Sequence, residues 1–349
     1  MTLIAGYIIN SCPVLLGDVL LSNPKGFGTS ISTPSWHTTD ESPALQIVNL
    51  VQKVNIVHNQ ACFAWAGSYI QARVFATALR EHLESNDLDD KKMSEFFRSF
   101  EPSDYSDLAC IIYTVHDKFL KRYQINAPEY ELDELMVQTA GTGQGHFINA
   151  ISQSYKPPNG DDCSVKAVIA PGLSYISSAF GEQIMTGQGI DDGWGGAFEL
   201  AFFADGKFQK IDDVLYVFWS AEQDKHGNFA LRNFPYLVKT NYFGETFTVM
   251  ANDYNIESPQ TRIYNICPLG KSDDQQHKPP LTFSYLINYI LIEKANGERE
   301  SCTTLMTKES ALGFSIEKKD GATHLEFSGG FVQEVFETAF GPGFFLKKS

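Results

Sequence analysis

Thr2-Leu3-Ile4-Ala5-Gly6-Tyr7-Ile8-Ile9-Asn10-Ser11-Cys12-Pro13-Val14-Leu15-Leu16-Gly17-Asp18 is the stretch on which the reading of the chain turns. Residues 2–10 and 13–21 are short apolar runs separated by turn-forming Asn10-Ser11-Cys12-Pro13. That pattern predicts two β-strands joined by a tight turn. Removal of Met1 leaves Thr2 at the amino terminus. One residue then carries both a hydroxyl nucleophile and a free α-amine to act as its base.

Outward from this segment, residues 23–45 are rich in Gly, Ser, Thr and Pro and read as a long loop, of the kind that closes a small-molecule pocket. Lys53 opens an alternating run, Lys53-Val54-Asn55-Ile56-Val57, and residues 52–66 give two more strands. Ser68 caps a helix whose apolar stripe is Ile70, Val74, Phe75, Ala78, Leu79 and Leu83. A second helix starts at Asp89 or Asp90 and carries Met93, Phe96, Phe97 and Phe100. Strands are expected at 107–115, 118–124 and 134–139, the last running into Gly141-Thr142-Gly143-Gln144-Gly145. A helix follows from His146, a polar loop at 156–162, a helix over 172–185 and a strand from Phe198. This order predicts an α+β fold, a four-layer αββα sandwich, over residues 1–222. Residues 223–349 read as a β-rich module, with hairpin turns at Asn296-Gly297 and Asp320-Gly321.

Composition narrows the function. Hydrophobic residues are 43% and charged residues 20%, as in soluble globular proteins. A formal charge of −15 speaks against nucleic-acid binding, which needs a basic face. No apolar run approaches the ~20 residues of a spanning helix, so no membrane partner is expected and the cytoplasm is the default compartment. Asn10, Pro13 and Asp18 interrupt any secretory signal. The six cysteines form no CxxC pair and the eight histidines no HxH or HxxxH spacing, so neither a metal nor a cofactor is expected.

The order of these motifs resembles that of the proteasome β subunits and bacterial proteasome-like peptidases, over residues 2–220. The resemblance implies that Thr2 is the nucleophile and that Asp18 and Lys53 are its acidic and basic partners, with Lys25 the runner-up cation. It places the oxyanion-hole amide near Ala64 and an auxiliary hydroxyl at Thr142. Asp192-Gly193-Trp194-Gly195-Gly196 matches the family's Asp-x-x-Ser-Gly-Gly, so Asp192 joins the expected site while Gly195 replaces the second auxiliary serine. Homo-oligomerisation is implied as well; whether an ATPase partner exists is left open.

The chemistry expected is that of an N-terminal-nucleophile threonine hydrolase acting on a peptide or other amide bond through an acyl-enzyme. The α-amine, which ordinarily titrates at about 7.7–8.0, is partly neutral near pH 7. A Lys53 cation favours the alkoxide, and Asp18 keeps that cation oriented. Two alternatives stand beside this reading: a non-catalytic scaffold or assembly subunit, and an amidohydrolase for a small metabolite.

Overall fold

The structure, a computed structural model, describes residues 2–23, 31–35, 46–85, 88–117, 119–132, 135–155, 164–186, 189–226, 229–232, 235–253, 260–273, 275–319 and 322–341. Met1, Lys25, Cys163, most of the 23–45 loop, the 156–162 loop and the Asp320-Gly321 turn lie outside the described residues. Two compact units emerge, both discontinuous in sequence. The first holds residues 1–175, 187–211 and 266–273; the second holds 176–186, 212–265 and 274–349. The sequence reading divides the chain once, at 222; the units instead separate at 211/212, inside a helix and around a short return segment.

In the first unit the strands are β1 (Leu3–Ile9), β2 (Cys12–Asp18), β3 (Leu20–Asn23), β4 (Gln46–Leu50), β5 (Val54–His58) and β6 (Ala61–Gly67). Then follow β7 (Leu108–His116), β8 (Phe119–Ile125), β9 (Glu129–Leu132), β10 (Leu135–Gly141), β11 (Phe198–Ala204) and β12 (Lys207–Lys210). Its helices are α1 (Tyr69–Ser85), α2 (Asp90–Arg98), α3 (Gln144–Ser154) and the first half of α4 (Val165–Thr186). A six-stranded sheet runs β12-β11-β2-β1-β10-β9, and a four-stranded one runs β5-β6-β7-β8.

The opening hairpin has a physical cause. Ile9 pairs with Cys12, leaving Asn10 and Ser11 as a two-residue loop. Both have positive φ, 47° and 65°, as a type I′ turn requires, and asparagine tolerates that region well. Alternation along β6 and β7 then sorts the core. Cys62, Ala64, Ile111 and Tyr113 join Ile4, Leu15 and Ala140 in one buried cluster. Phe63, Trp65, Cys110 and Ile112 point the other way and meet Phe75, Leu79, Met93 and Phe96 of α1 and α2.

The buried face of α1 is rotated from the expected stripe. Ala72, Phe75, Ala76, Leu79 and Leu83 are buried, whereas Ile70 and Val74 are 74% and 59% exposed. Phe75 and Leu79 belong to either stripe, so periodicity alone leaves the rotation about the helix axis open. The helix expected over 172–185 starts earlier, at Val165, and runs through Pro171. A proline inside a helix disturbs its hydrogen-bond ladder. Here the Tyr7 hydroxyl enters the ladder, accepting from the Gly172 amide at 3.0 Å and donating to the Val168 carbonyl at 3.1 Å.

The second unit contains β13 (Val214–Gln223), β14 (Phe229–Leu231), β15 (Tyr236–Phe243), β16 (Thr246–Asp253), β17 (Gln260–Ile266), β18 (Tyr285–Glu293) and β19 (Arg299–Thr307). These form a seven-stranded sheet in the order β17-β16-β15-β13-β18-β19, with β14 beside β13. β20 (Phe314–Lys319) and β21 (Ala322–Phe327) form a two-stranded sheet. α5 (Gly329–Phe340) is not legible in the sequence because it opens on two glycines. Ser328 caps it, accepting from the Phe331 amide at 3.1 Å, and Phe331, Val332, Val335 and Phe336 bury one face in the core.

The four-layer αββα sandwich expected from the sequence is therefore corrected. Strand makes up 47% and helix 25%, with five helices among the described residues and mostly antiparallel sheets, so the fold is β-rich. The order of elements over residues 1–222, from which the sandwich is read, does not fix how the strands pair, and the strands that follow add a seven-stranded sheet and a two-stranded one.

Candidate active site

Thr2, Asp18 and Lys53 come together in the first unit, all at most 1% exposed. Thr2 immediately precedes β1, Asp18 ends β2 and Lys53 immediately precedes β5. Gly17 lets them meet. A Cβ there would lie 3.0 Å from the Lys53 Cβ and 3.2 Å from Val54, so the bare glycine leaves room for the lysine stem to pass this closely.

The Thr2 hydroxyl donates a short hydrogen bond to the Asp18 carboxylate. Lys53 Nζ donates to Thr2 Oγ1 at 2.6 Å and to the Leu20 carbonyl at 2.8 Å, and stands 3.5 Å from Asp18 Oδ1. It also lies 4.9 Å from the centroid of the Trp65 ring. The Gly195 amide donates to Asp18 Oδ2 at 2.7 Å, and the Leu3 amide also supports that carboxylate.

Burial opposes charge on both titratable partners. It pushes the Lys53 ammonium below its ordinary value, against the pull of Asp18 and then Glu199. It pushes the Asp18 carboxyl up, against Lys53, Thr2 and the two amides. The site thus places a hydroxyl between a carboxylate and an amine whose proton is easier to remove than usual. That arrangement is suited to moving a proton off the hydroxyl.

The other expected residues are placed differently. Ala64 is an inner position of β6, paired with Val54 on one side and Ile111 on the other. The Trp65 amide donates to the Lys53 carbonyl at 3.1 Å, so alternation turns the Ala64 amide toward β7. The Ala64 N–H thus faces the ladder with Ile111, and its methyl lies in the core. Thr142 and Asp192 are exposed. Their neighbours reach the site in their place. Gly143 donates to the Thr2 carbonyl at 3.3 Å, and Gly195 holds Asp18. Gly141 and Gly195, with φ of 98° and 112°, allow the two turns to approach this closely.

Sequence reasoning missed the Leu20 carbonyl and Glu199. A backbone acceptor leaves no trace in residue type. Glu199 did leave one, an acid inside the apolar run Phe198-Glu199-Leu200-Ala201, where a charge is found only if paired.

No protein-family model and no curated protein matches this chain. Among the described residues no helix is long and apolar enough to cross a membrane. No cluster of three or more histidine, cysteine or acidic side chains there is arranged to hold a metal.

Proposed function

We propose that this chain is an N-terminal-nucleophile amide hydrolase whose nucleophile is Thr2, freed by removal of Met1. One observation carries the reading: the 2.6 Å hydrogen bond from Lys53 Nζ to Thr2 Oγ1, with Asp18 engaging the same hydroxyl.

In the proposed cycle the Thr2 hydroxyl proton passes to the free α-amine as Oγ1 bonds to the substrate carbonyl carbon. The tetrahedral adduct collapses, the C–N bond breaks, and the proton goes to the departing amine. Water, deprotonated by the Thr2 α-amine, attacks the resulting ester and releases the acid, and that proton returns to the Thr2 oxygen. Lys53 stabilises the developing alkoxide, and Asp18 holds the lysine in place. The reading includes peptides as the first substrates to test, kinship of the site with proteasome-like peptidases, assembly with further copies of the chain, and a cytoplasmic location.

A second reading, a non-catalytic assembly subunit, is favoured by the Ala64 amide, which is held in the ladder rather than offered to an oxyanion. Mass spectrometry of the intact protein separates the two. Loss of Met1 together with covalent capture of Thr2 by a β-lactone or epoxyketone supports the hydrolase. An unprocessed terminus, or a processed one that takes no label, supports the scaffold.

A further inference from the structure

Beyond the three residues that meet at Thr2, the first unit buries a second charged pair that the proposed cycle does not use. Glu199 is 1% exposed and pairs with Lys210, which is largely buried. One carboxylate oxygen of Glu199 accepts from the Lys53 amide at 2.8 Å and the Val54 amide at 3.3 Å. The other takes the Lys210 ammonium, which also donates to the Val54 carbonyl at 2.5 Å. Both ends of the Lys53–Val54 step are therefore clamped by one ion pair.

Register explains the clamp. Glu199 sits opposite Gly17 across β11 and β2, and Gly17 is also where the Lys53 stem passes without obstruction. Lys53 lies just before β5, where a backbone amide would otherwise lack a partner, and a buried N–H without one is costly. A hydrophobic residue at 199 would leave that amide unpaired. The burial of an acid here thus has a local cause.

We infer that Glu199, balanced by Lys210, is a positioning residue that fixes the Lys53 backbone and thereby sets where its ammonium meets Thr2. The inference rests on the proposed role of Thr2 and deepens it. The groups that face Lys53 are Asp18 from β2, Glu199 from β11, the Thr2 hydroxyl, the Leu20 carbonyl, and the Trp65 ring from β6. Glu199 is an anion that favours the charged lysine, so its neutralisation makes the Lys53 proton easier to lose.

The test compares wild type with Glu199→Met, which removes both the acceptor for the Lys53 amide and the charge. Two signals are followed against pH: the rate of Thr2 capture by a β-lactone, and the side-chain resonance of Lys53 in lysine-labelled protein. The expected result is a downward shift of both midpoints by about one unit. Where the single variant does not fold, Glu199→Met combined with Lys210→Met is read in the same way, since replacing a buried ion pair by apolar side chains is often tolerated. Midpoints that coincide with wild type, with Thr2 still captured, overturn the positioning role. If wild-type Thr2 takes no label, the hydrolase reading fails by itself. The Lys53 resonance then still decides the positioning, a shift sustaining it and an unmoved midpoint refuting it.

Discussion

The ammonium of Lys53 stands 2.6 Å from the hydroxyl oxygen of Thr2, although 51 positions separate the two in the chain. Neither residue belongs to a helix or strand: each immediately precedes one, β5 and β1 respectively. The site is thus assembled where two strands begin, with Asp18 supplied from the end of the strand paired to β1. A buried lysine normally needs a carboxylate close by; here Asp18 stands 3.5 Å from the ammonium and the Thr2 hydroxyl is hydrogen-bonded to both. The proposed chemistry would draw on that shared position.

Thr2→Ala removes the hydroxyl without disturbing β1, which starts one residue later. Amide hydrolysis and β-lactone capture are expected to fall by at least about a thousandfold, as when a nucleophile is deleted. Thr2→Ser keeps the hydroxyl and retains measurable turnover. An alanine variant as active as wild type would remove Thr2 from the mechanism.

Lys53→Met leaves Asp18 buried without its cation. Breaking a buried pair on one side costs about 3–5 kcal/mol. Combining it with Asp18→Asn removes the stranded charge, so the double variant should be more stable than either single one. Urea titration of all four proteins checks this, and strictly additive losses would show that the two groups do not interact.

The same pair fixes a pH dependence. Burial holds the folded Lys53 value below its ordinary one, so the native protein binds fewer protons there than the unfolded chain does. Stability attributable to Lys53 therefore rises with pH from its folded value up to about 10.4, the unperturbed value. Asp18, pushed up by burial, has the opposite sign: its contribution falls as pH rises from about 3.9 through its folded value. The stability of wild type relative to Lys53→Met is expected to grow as pH rises from the lowered folded value toward about 10.4. Thermal melts across that range measure it, and a difference that shrinks with pH contradicts the assigned direction.

Local chemistry made the opening hairpin legible, because Asn10 and Ser11 sit between apolar runs and no helix spacing competes. Thr2, Asp18 and Lys53 were grouped by the resemblance in motif order, since each residue type alone is common in such positions. The direction of the Ala64 amide was not readable, since an alanine in an apolar run signals neither an amide that is free nor one turned toward a neighbouring strand. The rotation of α1 was hidden for a related reason: Ile70 and Val74 fit a helical stripe as well as Ala72 and Ala76 do. Long-range pairing was least accessible. β13 lies parallel to β18, with Val214 opposite Tyr285, and no local signal links strands so far apart in sequence.

Tyr7 offers a test of packing alone. Its hydroxyl bridges the Gly172 amide and the Val168 carbonyl in α4. Tyr7→Phe keeps the ring and strands both backbone groups, a loss of about 1–3 kcal/mol. Faster hydrogen exchange at Gly172 should accompany it. Unchanged stability together with unchanged exchange would mean that the helix closes its own ladder.

Gly141 shows how narrowly the nucleophile is held. It pairs with Leu3 at the end of β10, and its φ is 98°. A Cβ at this position would sit 2.0 Å from the Thr2 carbonyl oxygen and 3.1 Å from the Thr2 methyl. Both contacts are with the residue proposed to attack, so Gly141→Ala must move either β10 or Thr2. The backbone conformation alone costs about 1–3 kcal/mol for a residue with a side chain. Displacement of a reacting group by about 1 Å can cost on the order of a hundredfold in rate. The variant should therefore lose capture of Thr2 far more than its modest drop in melting temperature accounts for. A variant that melts lower yet captures the probe at the wild-type rate would place the reacting atoms away from the Thr2–Gly141 contact.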